Sequence, residues 1–475
     1  MNAVSWPQTR CRAGAAACDI TPPVGIYHRM WGAAAHDRST GVHQPLVATL
    51  LWLEPAEGDP SQALVIASLD HCLLDAADVE LLRNSIAIQT GISPQQVQLA
   101  VTHTHAAGLM SRSRADLPGG ELIGPYLDGL AEKLGAVATQ ARERCQLASI
   151  VYGTGHCNLA QNRDFYDEAR QQFVCGFNPA GRADDTLLVA KVTAEGGQPL
   201  AVVVNYACHP TTLAWQNTLI SPDYVGGLRQ TVEQHAHTPC LFLQGASGDL
   251  GPREGFVGDT AVAERNGRQL AWAALAVLES LPPTGTRYVY TGPVVSGATI
   301  GVWRHEPLES PPTAWCVEKL EITLPYRAEL PTLSATEAEL AQARAAEAAA
   351  NFAGDALLAR DRRARCERLS RQLWKLKALP GGPAFPLRIA LARLGDAMWL
   401  FVPGEHYQAL QTTLRARFPK RPLVVATICN GWQPGYIPAS AAYGQGIYQE
   451  QIAVVAAGSA EAIVESLASR LASLV

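Results

Sequence analysis

Short, almost continuously apolar segments alternate with amphipathic segments of helical periodicity along most of this 475-residue chain. The apolar segments are predicted to be buried strands, at 63–70, 97–102, 200–207, 240–244, 387–394, 397–402 and 423–429. The amphipathic segments are predicted to be helices, at 76–90, 122–144, 260–280, 405–418 and 459–474. This alternation predicts an α/β protein, with mixed or largely parallel sheets flanked by helices.

One segment departs from the alternation. Residues 334–379 are rich in Ala, Arg and Glu, contain a single glycine and end just before Pro380. The segment begins with a helix-capping pattern, Ser334 followed three residues later by Glu337. We therefore predict a helical hairpin inserted between sheet segments. No long linker divides the chain, so residues 1–475 are predicted to form one domain.

Composition excludes several classes of protein. The 38 Lys and Arg residues are scattered and the net charge is −5, so no surface for nucleic acid is indicated. No apolar stretch is long enough for an integral membrane segment, and Arg10 and Arg12 are not followed by the apolar core of a signal peptide. The 11 cysteines form no CxxC pair, which is typical of reduced thiols. These features predict a cytoplasmic protein.

Two histidines follow one of the predicted strands. His103 and His105 belong to the motif THTH at 102–105, at the end of a buried strand, where open α/β sheets place their ligands. Side chains two residues apart in an extended segment point the same way, so both imidazoles are expected to face one pocket. The alternative is that one of them is a hydrogen-bonded core residue. A similar strand ends at His209, and Asp70 and His71 follow a further strand.

Three more motifs stand at strand ends or in loops. The Gly-rich segment 244–252, which contains Asp249 and Gly251, is either a tight turn or a loop that holds substrate near a metal. Glu405 is predicted to begin a helix, where it could simply interact with the helix dipole. Tyr436 and Tyr448 lie in a Gly-rich loop, in which surface packing is the alternative to a role in a site.

The order of these motifs along the chain resembles the neutral (alkaline) ceramidase family. The motifs are CDITPP, THTH, NR, a strand ending in HP, GDLGP, PGE and GYI, beginning at residues 18, 102, 162, 209, 248, 403 and 435. The likeness covers almost the whole chain. It implies a ceramidase-like catalytic domain of mixed α/β fold, without the C-terminal immunoglobulin-like domain of well-studied members.

The resemblance also implies a zinc site and a set of surrounding residues. The implied zinc ligands are His103, His209, Glu405 and Tyr436. Three residues match catalytic positions of the family, namely His105, Arg163 and Tyr448. Substrate contacts are predicted for His71, Asp249 and Gly251. Two imidazoles with oxygen donors would leave a position open for water or substrate.

At one position the sequence departs from the family pattern. The family carries a serine, regarded as catalytic, where this chain has Gly251. We therefore predict a zinc-dependent hydrolase that cleaves an amide or ester bond of a small or polar molecule with metal-activated water. The alternatives are a true ceramidase and a catalytically inactive relative that binds zinc and a partner. Self-association into a homo-oligomer is left open.

Overall fold

The computed structural model describes residues 2–474. Its strands, numbered β1 to β23 in chain order, are Ala3–Val4, Gln8–Asp19, Gly41–Val42, Val47–Pro55, Leu64–Leu69, Val97–Val101, Gln146–His156, Ala160–Asn162, Asp164–Asp167, Gln172–Cys175, Thr186–Ala194, Pro199–Tyr206, Leu219–Ile220, Cys240–Gln244, Leu250–Pro252, Thr286–Ser296, Ala298–Pro307, Trp315–Pro325, Ala384–Leu394, Ala397–Val402, Glu405–His406, Leu423–Thr427 and Tyr436–Ile437. The helices, α1 to α9, are Ala76–Thr90, Ile123–Glu143, Tyr224–Ala236, Thr260–Ser280, Leu333–Phe352, Ala356–Lys377, Ala409–Arg417, Tyr448–Ile452 and Ser459–Leu474.

Two mixed sheets form the centre of the molecule. The larger has eight strands in the order β14-β12-β11-β7-β2-β4-β5-β6, and the smaller has the order β18-β19-β20-β22. Only three of their neighbouring strand pairs are parallel, namely β5 with β6, β12 with β14 and β20 with β22. A helix lies between the two strands of each pair (α1, α3 and α7), as a parallel crossover requires. The sheets are therefore mixed and contain three βαβ units.

The two sheets pack face to face, and helices cover their outer faces. Leu51 and Ile66 of the larger sheet share one buried cluster with Trp399 and Ala426 of the smaller. Helices α1 and α2 pack on one half of the larger sheet, and α3 and α4 on the other half. Helices α7 and α9 cover the smaller sheet. The result is a four-layer arrangement of helices, sheet, sheet and helices, which agrees with the predicted α/β class.

The inserted hairpin is confirmed as helices α5 and α6. It connects β18 to β19, two neighbouring antiparallel strands of the smaller sheet, so it leaves the sheet and returns to it at one place. Asp355 caps the second helix by accepting a hydrogen bond from the amide of Leu358. The sequence expectation of an insertion between sheet segments is therefore confirmed.

All seven strands expected from the sequence are present, but one predicted helix is wrong at its beginning. Glu405 does not begin a helix. It lies in β21 and pairs with Tyr436 of β23, and helix α7 begins at Ala409. The amide of Glu405 donates to the carbonyl of Gly435, so it is used by the sheet and not by a helix turn. An interaction of Glu405 with a helix dipole is excluded by this placement.

The sequence did not indicate several of the antiparallel strands that make the sheets mixed, among them β2. Strand β2 is composed largely of Ala, Gly and charged residues, and lacks the β-branched character of the other strands. Its small residues are needed because helix α2 lies directly on it. A Cβ atom at Gly14 would lie 2.2 Å from the carbonyl oxygen of Ala141. The close approach of the helix thus explains a strand that propensity alone would miss.

All 11 cysteines lie within the described residues, and none of them is joined to another by a disulfide there. Among residues 2–474, no helix is both long enough and apolar enough to cross a membrane. The cytoplasmic location stays a prediction.

Asp70, at the end of β5, links several elements. Its carboxylate, which is fully buried, accepts two hydrogen bonds from the guanidinium of Arg229 on α3, at 2.7 and 2.8 Å. It also accepts from the amide of Val47 at 2.8 Å and from the hydroxyl of Thr102 at 3.1 Å. One buried ion pair therefore ties α3 to the ends of β5 and β6 and to the start of β4.

We expect the Asp70→Asn variant to lose about 3 to 5 kcal/mol of unfolding free energy, because it leaves the buried Arg229 charge unpaired. Urea unfolding followed by circular dichroism measures the change. The control is Glu309→Gln, which removes an exposed partner of Arg287 and should have no clear effect. Equal stabilities of the Asp70→Asn variant and the unchanged protein would contradict this structural role.

Candidate active site

Three buried side chains converge where the parallel strand pairs end. His103 follows β6, His209 follows β12 and Glu405 follows β20, one residue from each βαβ unit. The Nε2 atoms of the two histidines are 3.1 Å apart, and the Oε2 atom of Glu405 lies 3.4 Å from His103 Nε2 and 3.3 Å from His209 Nε2. Donor atoms this close, from residues of these types, form a candidate metal site.

His103 reaches the site through an unusual backbone conformation. Its φ angle is 70°, in the left-handed region that residues other than glycine rarely adopt. The segment after β6 is therefore not extended, and the argument that residues two apart point the same way does not apply to it. His105 nevertheless faces the same place, with its Nε2 atom 3.4 Å from His103 Nε2. The predicted convergence is present, but a turn produces it.

Backbone carbonyls fix the orientation of both imidazoles. His103 Nδ1 lies 2.9 Å from the carbonyl oxygen of Cys72, and His209 Nδ1 lies 2.7 Å from that of Ser247. A carbonyl only accepts hydrogen bonds, so each Nδ1 must carry the hydrogen. The Nε2 lone pairs of the neutral rings then point toward each other and toward Glu405. This is the arrangement in which histidines bind a metal, with the second nitrogen held by a neighbouring acceptor.

The electrostatics of the cluster favour a bound positive charge. Burial raises the pKa of Glu405, but its hydrogen bonds to His103 and His209 outweigh burial and hold the pKa well below its usual range. Burial lowers the pKa of His103, but contacts with Cys72 and Glu405 outweigh it and raise the pKa to about 10. Without a metal, the cluster would thus hold a proton. A divalent cation would replace that proton and suit the same donors.

Tyr436 stands opposite Glu405 in the short pairing of β21 with β23. Its hydroxyl group lies 3.2 Å from His209 Nε2 and accepts a hydrogen bond of 3.0 Å from Arg163. The position is that of a fourth ligand beside the two histidines and the carboxylate. Burial raises the pKa of Tyr436 well above its usual range, and the neighbouring Arg163 guanidinium opposes this effect only in part.

His105, Arg163 and Tyr448 surround the candidate ligands. His105 also packs against Trp31, with ring centroids 5.3 Å apart, and burial lowers its pKa well below the usual range, with the His103 imidazole adding to the effect. Arg163 donates to the carbonyl of Gly248 at 2.7 Å as well as to Tyr436. Tyr448 begins helix α8, and its ring meets that of Tyr436 edge to face at 6.0 Å. All three residues line one cavity with three of the candidate ligands, namely His103, Glu405 and Tyr436.

This cavity has a volume of about 640 Å³ and mixed walls. Aromatic and aliphatic side chains form most of the wall on the side of His105, among them Trp31, Leu109, Trp215 and Phe256. Helix α6 of the inserted hairpin and the segment after α8 also line the cavity. The volume is that of a site for a small or moderately sized molecule.

Three predicted substrate contacts lie outside the cavity. His71 is fully buried, and its Nε2 atom lies 2.7 Å from the hydroxyl of Tyr126. The carboxylate of Asp249 accepts hydrogen bonds from the backbone and side chain of Gln408. Both side chains therefore have packing partners away from the site. Gly251 lies in β15, behind Arg163 and the cavity-lining Thr211.

Two features of the site were missed in the sequence. Cys72 lines the cavity beside His103, with its Sγ atom 3.6 Å from His103 Nδ1. Its position just after β5, at the same sheet edge as the histidines, was the available signal. The second feature is the cavity wall formed by α6, for which the sequence offers no signal because the amphipathic pattern of a helix does not reveal which neighbour it faces.

Comparisons with known proteins give matches among solved structures. Neither the family models nor the curated proteins that were searched match the sequence. The solved structures that match include a ceramidase complexed with C2, with a TM-score of 0.65, and the neutral ceramidase from Pseudomonas aeruginosa, with a TM-score of 0.64. Each is 17% identical in sequence, and each match covers 98% of this chain and 74% of the other. Over nearly its whole length, this chain therefore has a neutral ceramidase-like fold.

Proposed function

We propose that this protein is a zinc-dependent hydrolase that cleaves an amide bond, or an ester bond, of a small or polar molecule. The observation that carries the proposal is the cluster of His103, His209 and Glu405, in which both imidazoles are held so that Nε2 faces the carboxylate, and His103 and Glu405 line the cavity. Tyr436 completes the proposed ligand set. Bound zinc would supply an acidified water and an electrophile for the substrate carbonyl.

The remaining polar groups suit the handling of an acyl substrate. His105 has a lowered pKa, so it is neutral at pH 7 and can accept a proton or donate a hydrogen bond. Arg163 holds a buried positive charge beside Tyr436, where it would stabilise negative charge that develops on the carbonyl oxygen. Tyr448 lies on the same side and offers a hydroxyl donor.

The nucleophile of this proposal is water, because no serine stands where the family pattern has one. The nearest candidate, Ser247, is only 2% exposed and does not line the cavity. Its hydroxyl accepts a hydrogen bond from Gln244 and lies 3.3 Å from the Nδ1 atom of His209, on the side of the ring away from the other ligands. Ser247 is therefore a support of His209 in this proposal and not a nucleophile.

A second candidate function is the hydrolysis of ceramide. Two of the structural matches are described as ceramidases, and the apolar wall around Trp215 and Phe256 could contact an acyl chain. Turnover of a panel of N-acyl amides, esters and ceramide, with and without a chelator, distinguishes the candidates. Hydrolysis of ceramide alone would favour the ceramidase, and no chelator-sensitive turnover of any compound would favour a binding protein without activity.

We expect the purified protein to contain about one zinc ion per chain, measured by elemental analysis after extensive dialysis. The His103→Ala, His209→Ala double variant should retain none, because two of the four ligands are gone. The control is His71→Asn, which changes a fully buried histidine outside the cavity. Normal zinc content in the double variant would refute the site.

The Glu405→Gln variant should bind zinc more weakly than the unchanged protein. The loss of affinity should exceed the roughly tenfold to hundredfold loss that is typical when a residue that supports a metal ligand is removed. The reason is that the amide loses both the charge and the donor strength of the carboxylate. Competition with a chromophoric chelator measures the affinity. Glu450→Gln is the matched control, since Glu450 is also 8% exposed but lies outside the cavity. Similar affinities in the two variants would place Glu405 outside the ligand set.

Gly251→Ser should fold with a free energy of unfolding within about 1 kcal/mol of the unchanged protein. An added Cβ atom would meet no atom closer than Arg163 Cδ and Thr211 Oγ1, both at 3.8 Å. A serine-directed covalent probe should label neither the unchanged protein nor this variant, because position 251 lies outside the cavity, next to Arg163 and Thr211. Labelling of the unchanged protein on Ser247 would overturn direct attack by water.

A further inference from the structure

Helix α6 of the inserted hairpin presents one face to the active-site cavity. The residues on this face recur at helical spacing, namely Ala364, Glu367, Arg368, Arg371, Gln372 and Lys375. Four of the six carry a formal charge, and Trp374 and Leu376 of the same helix also line the cavity. Helix α6 therefore contributes four of the eight Glu, Lys and Arg side chains that line the cavity.

The face of α6 is held against the body of the protein by polar and aromatic contacts. Glu367 pairs with Arg114 of the body at 2.9 Å and with Arg371 of its own helix at 2.7 Å. Trp374 stacks on Trp432 with ring centroids 4.2 Å apart, and its indole nitrogen donates to Asp75 at 3.0 Å. These contacts fix the position of the last two turns of the helix.

Lys375 extends from these turns to the edge of the candidate metal site. Its Nζ atom donates to the carbonyl of Ile452 at 2.8 Å and lies 3.3 Å from the place where a Cβ atom of Gly435 would stand. Gly435 precedes Tyr436, and its carbonyl accepts from the amide of Glu405. The ammonium has three donors, so two remain for a molecule in the cavity.

Among the charged side chains that line the cavity, the carboxylates have partners, whereas some of the cations have no carboxylate partner among the described residues. Each carboxylate there has cationic or imidazole partners: Glu367 pairs with two arginines, Glu329 with Arg327, and Glu405 with the histidines. By contrast, within residues 2–474 no carboxylate oxygen lies within 4.0 Å of a side-chain nitrogen of Arg163 or Lys375. A bound metal would add further positive charge. The base of the cavity is thus suited to an anion.

Lys375 is charged at neutral pH, although burial lowers its pKa to about 8. A partly buried ammonium that contacts one carbonyl is under-paired, since a buried charge is normally paired with an opposite charge. A purely structural role in holding Ile452 would be served as well by a neutral donor. Lys375 lines the cavity, so its remaining donors are available to a molecule bound there.

We propose that Lys375 binds a carboxylate of the substrate, so that the amide cleaved at this site is an N-acyl amino acid or an amide of similar charge. The inference rests on the proposed function and names its substrate class. Water adds to the acyl carbon and the C–N bond breaks, which gives a carboxylic acid and an amino acid. The ammonium of Lys375 would hold the carboxylate of the amino acid during this reaction.

The test uses two probes that differ only in charge, N-octanoylglycine and N-octanoylglycinamide. We expect the zinc-loaded protein to have a higher kcat/KM for N-octanoylglycine, because the carboxamide cannot form the charge-assisted bond. In Lys375→Met this preference should fall about tenfold to a hundredfold, as expected for loss of one hydrogen bond between charged groups. Lys375→Arg should restore part of it. The control is Lys377→Met, since Lys377 is exposed, pairs with Glu337 and does not line the cavity.

A binding measurement separates failure of this inference from failure of the proposed function. Titration of both probes against the metal-free protein, followed by the fluorescence of the cavity residues Trp374 and Trp432, requires no turnover. Preferential binding of N-octanoylglycine that is lost in Lys375→Met supports the inference even if neither probe is hydrolysed. Equal binding of the two probes, or an unchanged preference in Lys375→Met, overturns it.

Discussion

The paired hydrogen bonds between Asp70 and Arg229 lie beneath the site and hold its parts in place. The carboxylate also binds the start of β4 and Thr102 at the end of β6, so the turn that begins at His103 starts from a fixed point. Such a turn needs support, because His103 has a backbone conformation that costs free energy. The buried ion pair provides this support, and it also fixes the position of α3, the helix that follows the loop after His209.

Above this support, three βαβ units each contribute one residue to the same point. The units belong to two different sheets, so the cluster exists only because the sheets pack face to face. Within the cluster, the carbonyls of Cys72 and Ser247 hold the imidazoles, which leaves lone pairs and a carboxylate facing one another. Groups of this kind repel one another unless a positive charge lies between them, and this physical requirement supports a metal more strongly than any single residue does.

The inserted hairpin gives the site its charge character. The rest of the fold provides the candidate ligands, the aromatic side chains, Arg163 and Arg327, whereas α6 provides three further cations of the cavity, namely Arg368, Arg371 and Lys375. Helices α5 and α6 are inserted between two neighbouring strands of the smaller sheet. Residues of α6 that line the cavity can therefore be substituted without disturbing the sheets. A single insertion can therefore set which molecules the cavity accepts, while the groups at its base stay the same.

The sequence by itself determined the α/β class, the strands of the βαβ units, the hairpin and the strand-end histidines, because these are local patterns, whereas the full set of candidate ligands came from the family resemblance. It misplaced Glu405 at a helix start, since the pairing of β21 with β23 joins segments about 30 residues apart. It also predicted substrate contacts for His71 and Asp249. Their side chains hydrogen-bond to Tyr126 and Gln408 instead and do not line the cavity. Only the tertiary structure decided which side chains share the cavity, because the direction of a side chain and the neighbour of a helix depend on the packing of the whole chain.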